Sequence, residues 1–421
     1  VKATRRYTFY APPGELDFED KTNVTENIND MPFVTSDGKL ITWTSSHPEI
    51  VTATGAVTRP ADTTVVTLTA SYGDTVKQYS IQVIGMNEEN KVFVLENDFY
   101  TGGEKMIGKV QITDNTVEYR TKIYNATESS IKAAMFIGVY DSENTLVDIK
   151  NGSIQDVASH SYGNEEKLTC VLPDDGQYRI EGFLWEPYTL SPYCKACSAG
   201  DKEIDLYILS DSIYANYAEN AYNDEGGIGM YIGSYFDSKV TVHNEAHGGT
   251  SSKSYMRTYF NNDILSAAEK NDYMLVCFGL NDGSFEKPER YTSEADYKEF
   301  LKIYVNAAKD RGINMFFVTP TPFGKYDGDT VTYSDNPVNR RAWMKEVATM
   351  MNVKCMELGE QVDAELAALS AADQYSKFIQ EKQESAGTML HISKARANEL
   401  AGRLTQLIKS ADINGLSNYV K

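Results

Sequence analysis

The chain of 421 residues contains no run near the roughly 20 apolar residues that a membrane-spanning helix needs. Its opening stretch, VKATRRYTFYAPPGELDFED, has no apolar core of the signal-peptide kind, so such a peptide has either been removed or never existed. Five cysteines over this length make no disulfide framework. Cys277 and Cys355 lie in apolar runs and read as buried thiols. Cys194 and Cys197 in CKAC have the spacing of a redox pair but lack its strand-then-helix context. A local disulfide or two inert thiols fit better, and Cys170 has no evident partner. Positive charge is short as well: 40 Lys and Arg face 60 Asp and Glu, a net charge of −20. That argues against nucleic acid as a partner, because phosphates must be met by clustered cations. A polyanionic substrate would need basic residues gathered locally.

What is present is a globular composition, 41% hydrophobic and 24% charged, in a chain long enough for two or three domains. The organisation expected is an all-β module over 1–87, a second over 88–200 and an α/β domain over 201–421. In the first, VVTLTASYGDTVKQYSIQV alternates Val66, Leu68, Ala70 and then Tyr79, Ile81, Val83 across a Gly-Asp turn, the period of strands buried on one face. In the second, AAMFIGVYDSENTLVDIK reads as a hairpin turning at DSEN, and GQYRIEGFLWEPYTLSP as a strand ending in aromatics. Trp185, Tyr188 and Tyr193 are either a platform for sugar rings or the packing of a sandwich, and packing is the commoner fate.

After Asp201 short apolar runs alternate with helical patterns. The strands expected are IDLYILS, KVTVHNEA, DYMLVCFG, NMFFVTP and VKCMELG, with a helix IYANYAENAYN after the first. This implies a parallel sheet covered on both faces, with the site at the carboxyl ends of its strands. Those ends carry SDSIYANY with Ser212, NEAHGGTSSKSY, FGLNDG, and near the C-terminus TMLHISKARANELAGRL with His391 before a helix. Taken alone, Ser212 is a nucleophile or a helix N-cap.

These four blocks, in this order, resemble those of the SGNH (GDSL-type) hydrolases, above all the rhamnogalacturonan acetylesterase-like branch. The resemblance covers about residues 203 to 410. The stretch ITWTSSHPEIV…GAVTRP similarly resembles bacterial Ig-like modules, usually spacers, and the second β stretch resembles sandwich modules of bacterial surface proteins. The resemblance implies two Ig-like sandwich modules followed by a flavodoxin-like α/β domain with a five-stranded parallel sheet. It also implies a serine esterase that needs no cofactor or metal. Ser212 is then the nucleophile and His391 the base. The oxyanion hole is the backbone N–H of Ser212 and of Gly249 with the side-chain amide of Asn281, while Asp211 orders the turn.

Three positions depart from the family pattern. Ser210 replaces a glycine, Leu280 replaces a histidine beside the pocket, and Thr388 stands where an aspartate should hold the imidazole. A Ser-His dyad oriented by backbone carbonyls, or Glu384 swinging in, are the substitutes considered. His243 and His247 have an i, i+4 spacing but lie on a strand pattern, which argues against zinc; His247 more naturally lines the cleft. Lys253, Arg257, Arg340 and Arg341 are candidates for a uronate carboxylate or residues of solvated helix faces. The expected function is a secreted or cell-surface esterase removing O-acetyl groups from a plant polysaccharide, pectin or rhamnogalacturonan, with acetyl-xylan or an envelope glycan as other substrates. No nucleic acid or membrane span enters, and attachment to the cell surface would run through a longer parent protein. The alternative is a decayed SGNH domain in a polysaccharide-binding scaffold.

Overall fold

Period-two alternation becomes strand pairing near the N-terminus. Thr64–Tyr72 and Thr75–Val83 form an antiparallel hairpin in which Tyr72 faces Thr75 across the Gly-Asp turn. Gly73 takes φ +55°, a left-handed conformation that costs glycine nothing. Thr42–Ser45 adds antiparallel on one side and Lys21–Val24 adds parallel on the other. The computed structural model describes residues 16–106, 115–141, 143–172, 178–199, 204–219, 221, 224–379 and 386–421. Within these residues the first module is one four-stranded sheet with two isolated bridges, Val34 to Leu40 and Val51 to Val57. Among the described residues the module has no second sheet against which to bury its apolar face.

The cover comes from elsewhere in the chain. Buried side chains of this module (Phe33, Trp43, Leu68, Ile81) and of the C-terminal domain (Tyr255, Phe260, Tyr304) belong to one contiguous core. Polar contacts lock the junction. The buried Arg311 guanidinium donates to the Thr54 carbonyl and to Asn29 Oδ1, both at 3.0 Å, and Thr54 Oγ1 donates to Asp310 at 2.6 Å. The module is therefore docked, not a free spacer.

The described residues between 91 and 199 form two antiparallel sheets. One is built on Val92–Thr101 and Thr116–Asn125, the other on Ile131–Tyr140, Leu146–Val157 and Arg179–Trp185. Phe99, Tyr119, Ile137 and Leu184 meet between them in a shared core, as in a β-sandwich. The DSEN hairpin forms, with Asn144 N–H donating to the Asp141 carbonyl at 3.0 Å.

In the C-terminal domain β1 (Ile204–Ser210), β2 (Val240–Asn244), β3 (Tyr273–Cys277), β4 (Asn314–Val318) and β5 (Cys355–Met356) pair in parallel. Their order, β2-β1-β3-β4-β5, is that of flavodoxin-like sheets. Alternate side chains feed two cores. Leu209, Val276 and Phe317 pack with α1 (Glu294–Asp310) and α2 (Asp335–Met351). Ile208, Leu275 and Phe316 pack with α3 (Leu358–Ala367) and α4 (Lys394–Ala411). Ser293, Ser334 and Ser393 cap α1, α2 and α4, each accepting a backbone N–H of the first turn.

The helix expected directly after β1 does not form. Tyr214 and Ala215 N–H close tight turns on Asp211 and Ser212, while the carbonyls of Ile213 and Tyr214 accept from Ile228 N–H and Asn244 Nδ2. With those carbonyls taken by distant partners, the i to i+4 ladder cannot start. Ser212 therefore caps no helix.

Replacing Arg311 by Ala should loosen the docked module, because the Thr54 carbonyl loses a charged donor, about 1–3 kcal/mol. A lowered thermal midpoint, with first protease cleavage inside residues 16–89, is the expected readout.

Candidate active site

Ser212 sits two residues beyond the end of β1 and is partly accessible. The turn that presents it is held by the buried Asp211, whose Oδ1 accepts the Ile213 N–H at 3.0 Å. Burial, more than the neighbouring Asp282, pushes the Asp211 carboxyl up to about 7. Tyr217 adds a further tie, its hydroxyl donating to the Ser212 carbonyl at 2.9 Å. Ser210 lies in ordinary strand geometry, with its hydroxyl donating to the Cys277 carbonyl at 2.7 Å. The loss of glycine there costs no backbone strain.

His391 reaches Ser212 from the far end of the domain. Its Nε2 lies 3.1 Å from Ser212 Oγ, across 179 residues of sequence. The imidazole is set by the segment entering α4: Thr388–Met389 pairs with Gly324–Tyr326, and Ile392–Ser393 pairs with Glu225–Gly226. On the opposite edge of the ring, Nδ1 lies 3.4 Å from Glu225 Oε1. The imidazole thus has a carboxylate beside it, supplied by a segment that the motif spacing does not indicate. Thr388 is engaged elsewhere, its backbone opposite Lys325 at the edge of an open cleft of about 470 Å³ that Phe323, Lys325 and Tyr333 also line. Glu384 lies outside the described residues.

The loop after β2 comes up against the nucleophile turn. His247 N–H donates to the Ser210 carbonyl at 3.0 Å, and a Cβ on Gly248 would lie 3.8 Å from that of Ser212. Gly249 has φ +78°, where a side chain would be strained and would meet the Arg290 guanidinium at 3.1 Å. Asn281 Nδ2 donates to the Thr250 carbonyl at 2.9 Å, which fixes the amide and leaves its second N–H unspent. Among the described residues the backbone N–H groups of Ser212 and Gly249 donate to no protein acceptor. Asp282, next to Asn281, is buried and takes the Ser252 backbone N–H, the Ser252 hydroxyl and the Thr292 hydroxyl, so it braces this corner.

Other expected contacts fall into place differently. His247 stacks on Tyr259 with ring centroids 3.8 Å apart, and burial lowers its pKa, which favours the neutral ring. His243 turns away to Asp205 at 2.6 Å and stacks on Tyr207, so the two histidines do not converge. Lys253 Nζ donates to the Pro288 and Tyr291 carbonyls and holds that loop. Leu280 packs against the α4-side core. Arg340 and Arg341, candidates for a uronate contact or a solvated helix face, are instead buried: Arg340 donates to the Asp282 and Thr292 carbonyls, and Arg341 pairs with Asp363. Arg257 is half-buried on the helix after Ser251. Arg290, whose guanidinium lies beside Gly249, is a cation that no sequence pattern singled out.

Cys194 and Cys197 are free thiols, both raised by burial, Cys197 to about 12, the reverse of a reactive redox pair. Trp185 makes ring contacts with Phe136 and Phe183 on the sandwich surface, while the Tyr193 hydroxyl donates to the Lys132 carbonyl and Tyr188 is exposed. All three lie on one hairpin, in which Trp185 bridges Pro192 and the Tyr193 N–H donates to the Leu184 carbonyl. Among the described residues no cluster of three or more His, Cys, Asp or Glu suits a metal ion, and no helix is long and apolar enough to cross a membrane.

Comparison with known proteins follows the same division of the chain. Residues 14–84 match the atrophied bacterial Ig domain family, in keeping with a module reduced to one sheet. The probable rhamnogalacturonan acetylesterase YesY of Bacillus subtilis is 30% identical over 217 residues, 51% of this chain and 97% of that protein. The rhamnogalacturonan acetylesterase RhgT of the same organism is 27% identical over 126 residues, 30% of this chain and 53% of its own length. The crystal structure of Bacillus subtilis YxiM covers 77% of this chain and 91% of its own at 16% identity, with a TM-score of 0.42.

The buried Asp211 makes stability depend on pH. Its folded pKa of about 7 lies above the roughly 3.9 of an unfolded aspartate, so the folded state binds the extra proton between those values. Its contribution is present below about pH 4 and is lost as pH rises through 7. Asp211→Asn, which keeps an acceptor for Ile213, should flatten that fall, as measured by denaturation between pH 4 and 8.

Proposed function

The chain belongs to the SGNH (GDSL-type) esterases that include the rhamnogalacturonan acetylesterases, and we propose that it removes O-acetyl groups from a pectic polysaccharide through an acyl-serine. The observation that carries this reading is the 3.1 Å contact between His391 Nε2 and Ser212 Oγ at the carboxyl end of β1. It brings a nucleophile and a base within proton-transfer reach, beside backbone donors with no protein acceptor.

In acylation Ser212 Oγ bonds to the acetyl carbon as its proton passes to His391 Nε2. The negative charge that develops on the carbonyl oxygen is met by the Ser212 and Gly249 N–H groups and by the free N–H of Asn281. Each such donor is worth about 3–4 kcal/mol in the transition state. Collapse breaks the bond to the sugar oxygen, which takes the proton from Nε2. Water then adds to the acyl-serine, giving its proton to Nε2, and acetate leaves as Ser212 recovers that proton. No atom in this cycle requires a metal or an organic cofactor.

The pectic assignment rests on the activity in the names of YesY and RhgT and on Arg290. The guanidinium stands beside Gly249, about a third exposed, with Glu289 at 3.8 Å as a weak partner. A uronate carboxylate next to the scissile ester would find a planar, bidentate donor there in an otherwise acidic protein. An extracellular or cell-surface setting accords with the bacterial Ig-like module.

Ser212→Ala and His391→Ala should each lower kcat on p-nitrophenyl acetate by about 10³-fold or more; retention of activity by the serine variant would reject the acyl-serine. Arg290→Ala should cut kcat/KM about tenfold on acetylated pectin and far less on acetylated xylan, measured as acetate release. Equal losses on both polymers would remove the case for a uronate.

A further inference from the structure

The expected place of the triad acid is Thr388, yet Glu225 stands beside the imidazole. Its position is built, not incidental. Asp224, Glu225, Gly226 and Gly227 cross between the nucleophile turn and the histidine segment, and each residue is committed to that crossing. Asp224 takes a left-handed φ of +58° and pairs with Lys394 at 3.4 Å, while Lys394 Nζ also donates to the Glu219 carbonyl at 2.5 Å. Glu225 and Gly226 pair antiparallel with Ser393 and Ile392, directly after His391.

Both glycines are required by close approach. A Cβ on Gly226 would lie 2.7 Å from the Lys394 Cα, and one on Gly227 would lie 2.0 Å from the Ala215 carbonyl oxygen. The next residue, Ile228, donates its N–H to Ile213 at 2.8 Å, so the same segment is stitched to the turn that carries Ser212. Backbone pairing thus fixes Glu225 relative to both reacting side chains. Its carboxylate is largely shielded, 17% exposed, with Oε1 3.4 Å from His391 Nδ1, and the Tyr217 hydroxyl adjoins it. Separations of this size commonly shorten once substrate excludes water from such a site.

We propose that Glu225 is the acid of the triad, a positioning residue carried on a different segment from the family's usual one. It holds the proton of His391 on Nδ1, so that Nε2 faces Ser212 as a base, and it stabilises the imidazolium formed when Nε2 takes the serine proton. That proton is passed to the leaving sugar oxygen, and the carboxylate stays ionised throughout. The inference rests on the Ser212–His391 reading of the site.

The test is the rank order of Glu225→Gln, Glu225→Asp and Glu225→Ala, with Glu384→Gln alongside, on p-nitrophenyl acetate and acetylated pectin. A residue that only fills space tolerates the isosteric Gln better than the shorter Asp; an ionised acid gives the reverse. Expected is a kcat loss of about 10³- to 10⁴-fold for Gln and Ala, a loss of about tenfold for Asp, unchanged KM, and near wild-type rates for Glu384→Gln. The Asp and Ala pair carries the same comparison if the Gln chain fails to fold by circular dichroism. The proposal is overturned if Gln equals or exceeds Asp, or if Glu384→Gln shows the large loss instead. Activity surviving in Ser212→Ala would sink the underlying site reading, an outcome distinct from either.

Discussion

The hydrogen bond between His391 and Ser212 joins the first strand of the α/β domain to its last helix, and most of the surrounding structure can be understood as its support. A hydroxyl and an imidazole 179 residues apart meet at 3.1 Å only if two chain segments are each held to within a fraction of an ångström. On the serine side this is done by burying an aspartate beneath the turn and by spending the turn's carbonyls on distant donors. On the histidine side two short strands bracket the ring before Ser393 caps α4. Neither segment is a regular element of any length, so the precision comes from cross-links between loops and not from a helix or strand.

The rest of the chain supports the platform from below. The N-terminal module has given up a second sheet and completes its core against α1 and its neighbours, with Arg311 buried at the seam. A module joined in this way cannot swing freely against the α/β domain. The overall charge of −20 leaves few cations for recognition. Two of the four cations named as candidates, Arg340 and Arg341, are consumed inside the fold, and Lys253 is spent on the loop that positions Arg290.

Much of this was legible in the residues. Alternation of apolar side chains marked the hairpin at Gly73, buried on one face, and short continuous apolar runs marked the five parallel strands, buried on both. The blocks at the strand ends contain Ser212 and His391, whose side chains the fold brings to 3.1 Å. The helix after β1 was misread: its apolar spacing is real, but Ile213 and Tyr214 serve a core through turns. The strand pattern of the first module showed which face is buried but not what buries it.

By itself, then, the sequence determined the order of elements, the sheet that carries the site and the residue types at its strand ends, all properties of local periodicity and short spacing. It did not indicate that Glu225 lies beside His391. Thr388 announces a gap at the familiar spacing, while Glu225, in the short stretch DEGG, has no periodic or motif signal beyond two adjacent glycines. Only the tertiary structure brings that stretch against Ile392 and Ser393. Side-chain proximity across 166 residues is decided by backbone pairing and close glycine contacts, which leave no trace in local pattern.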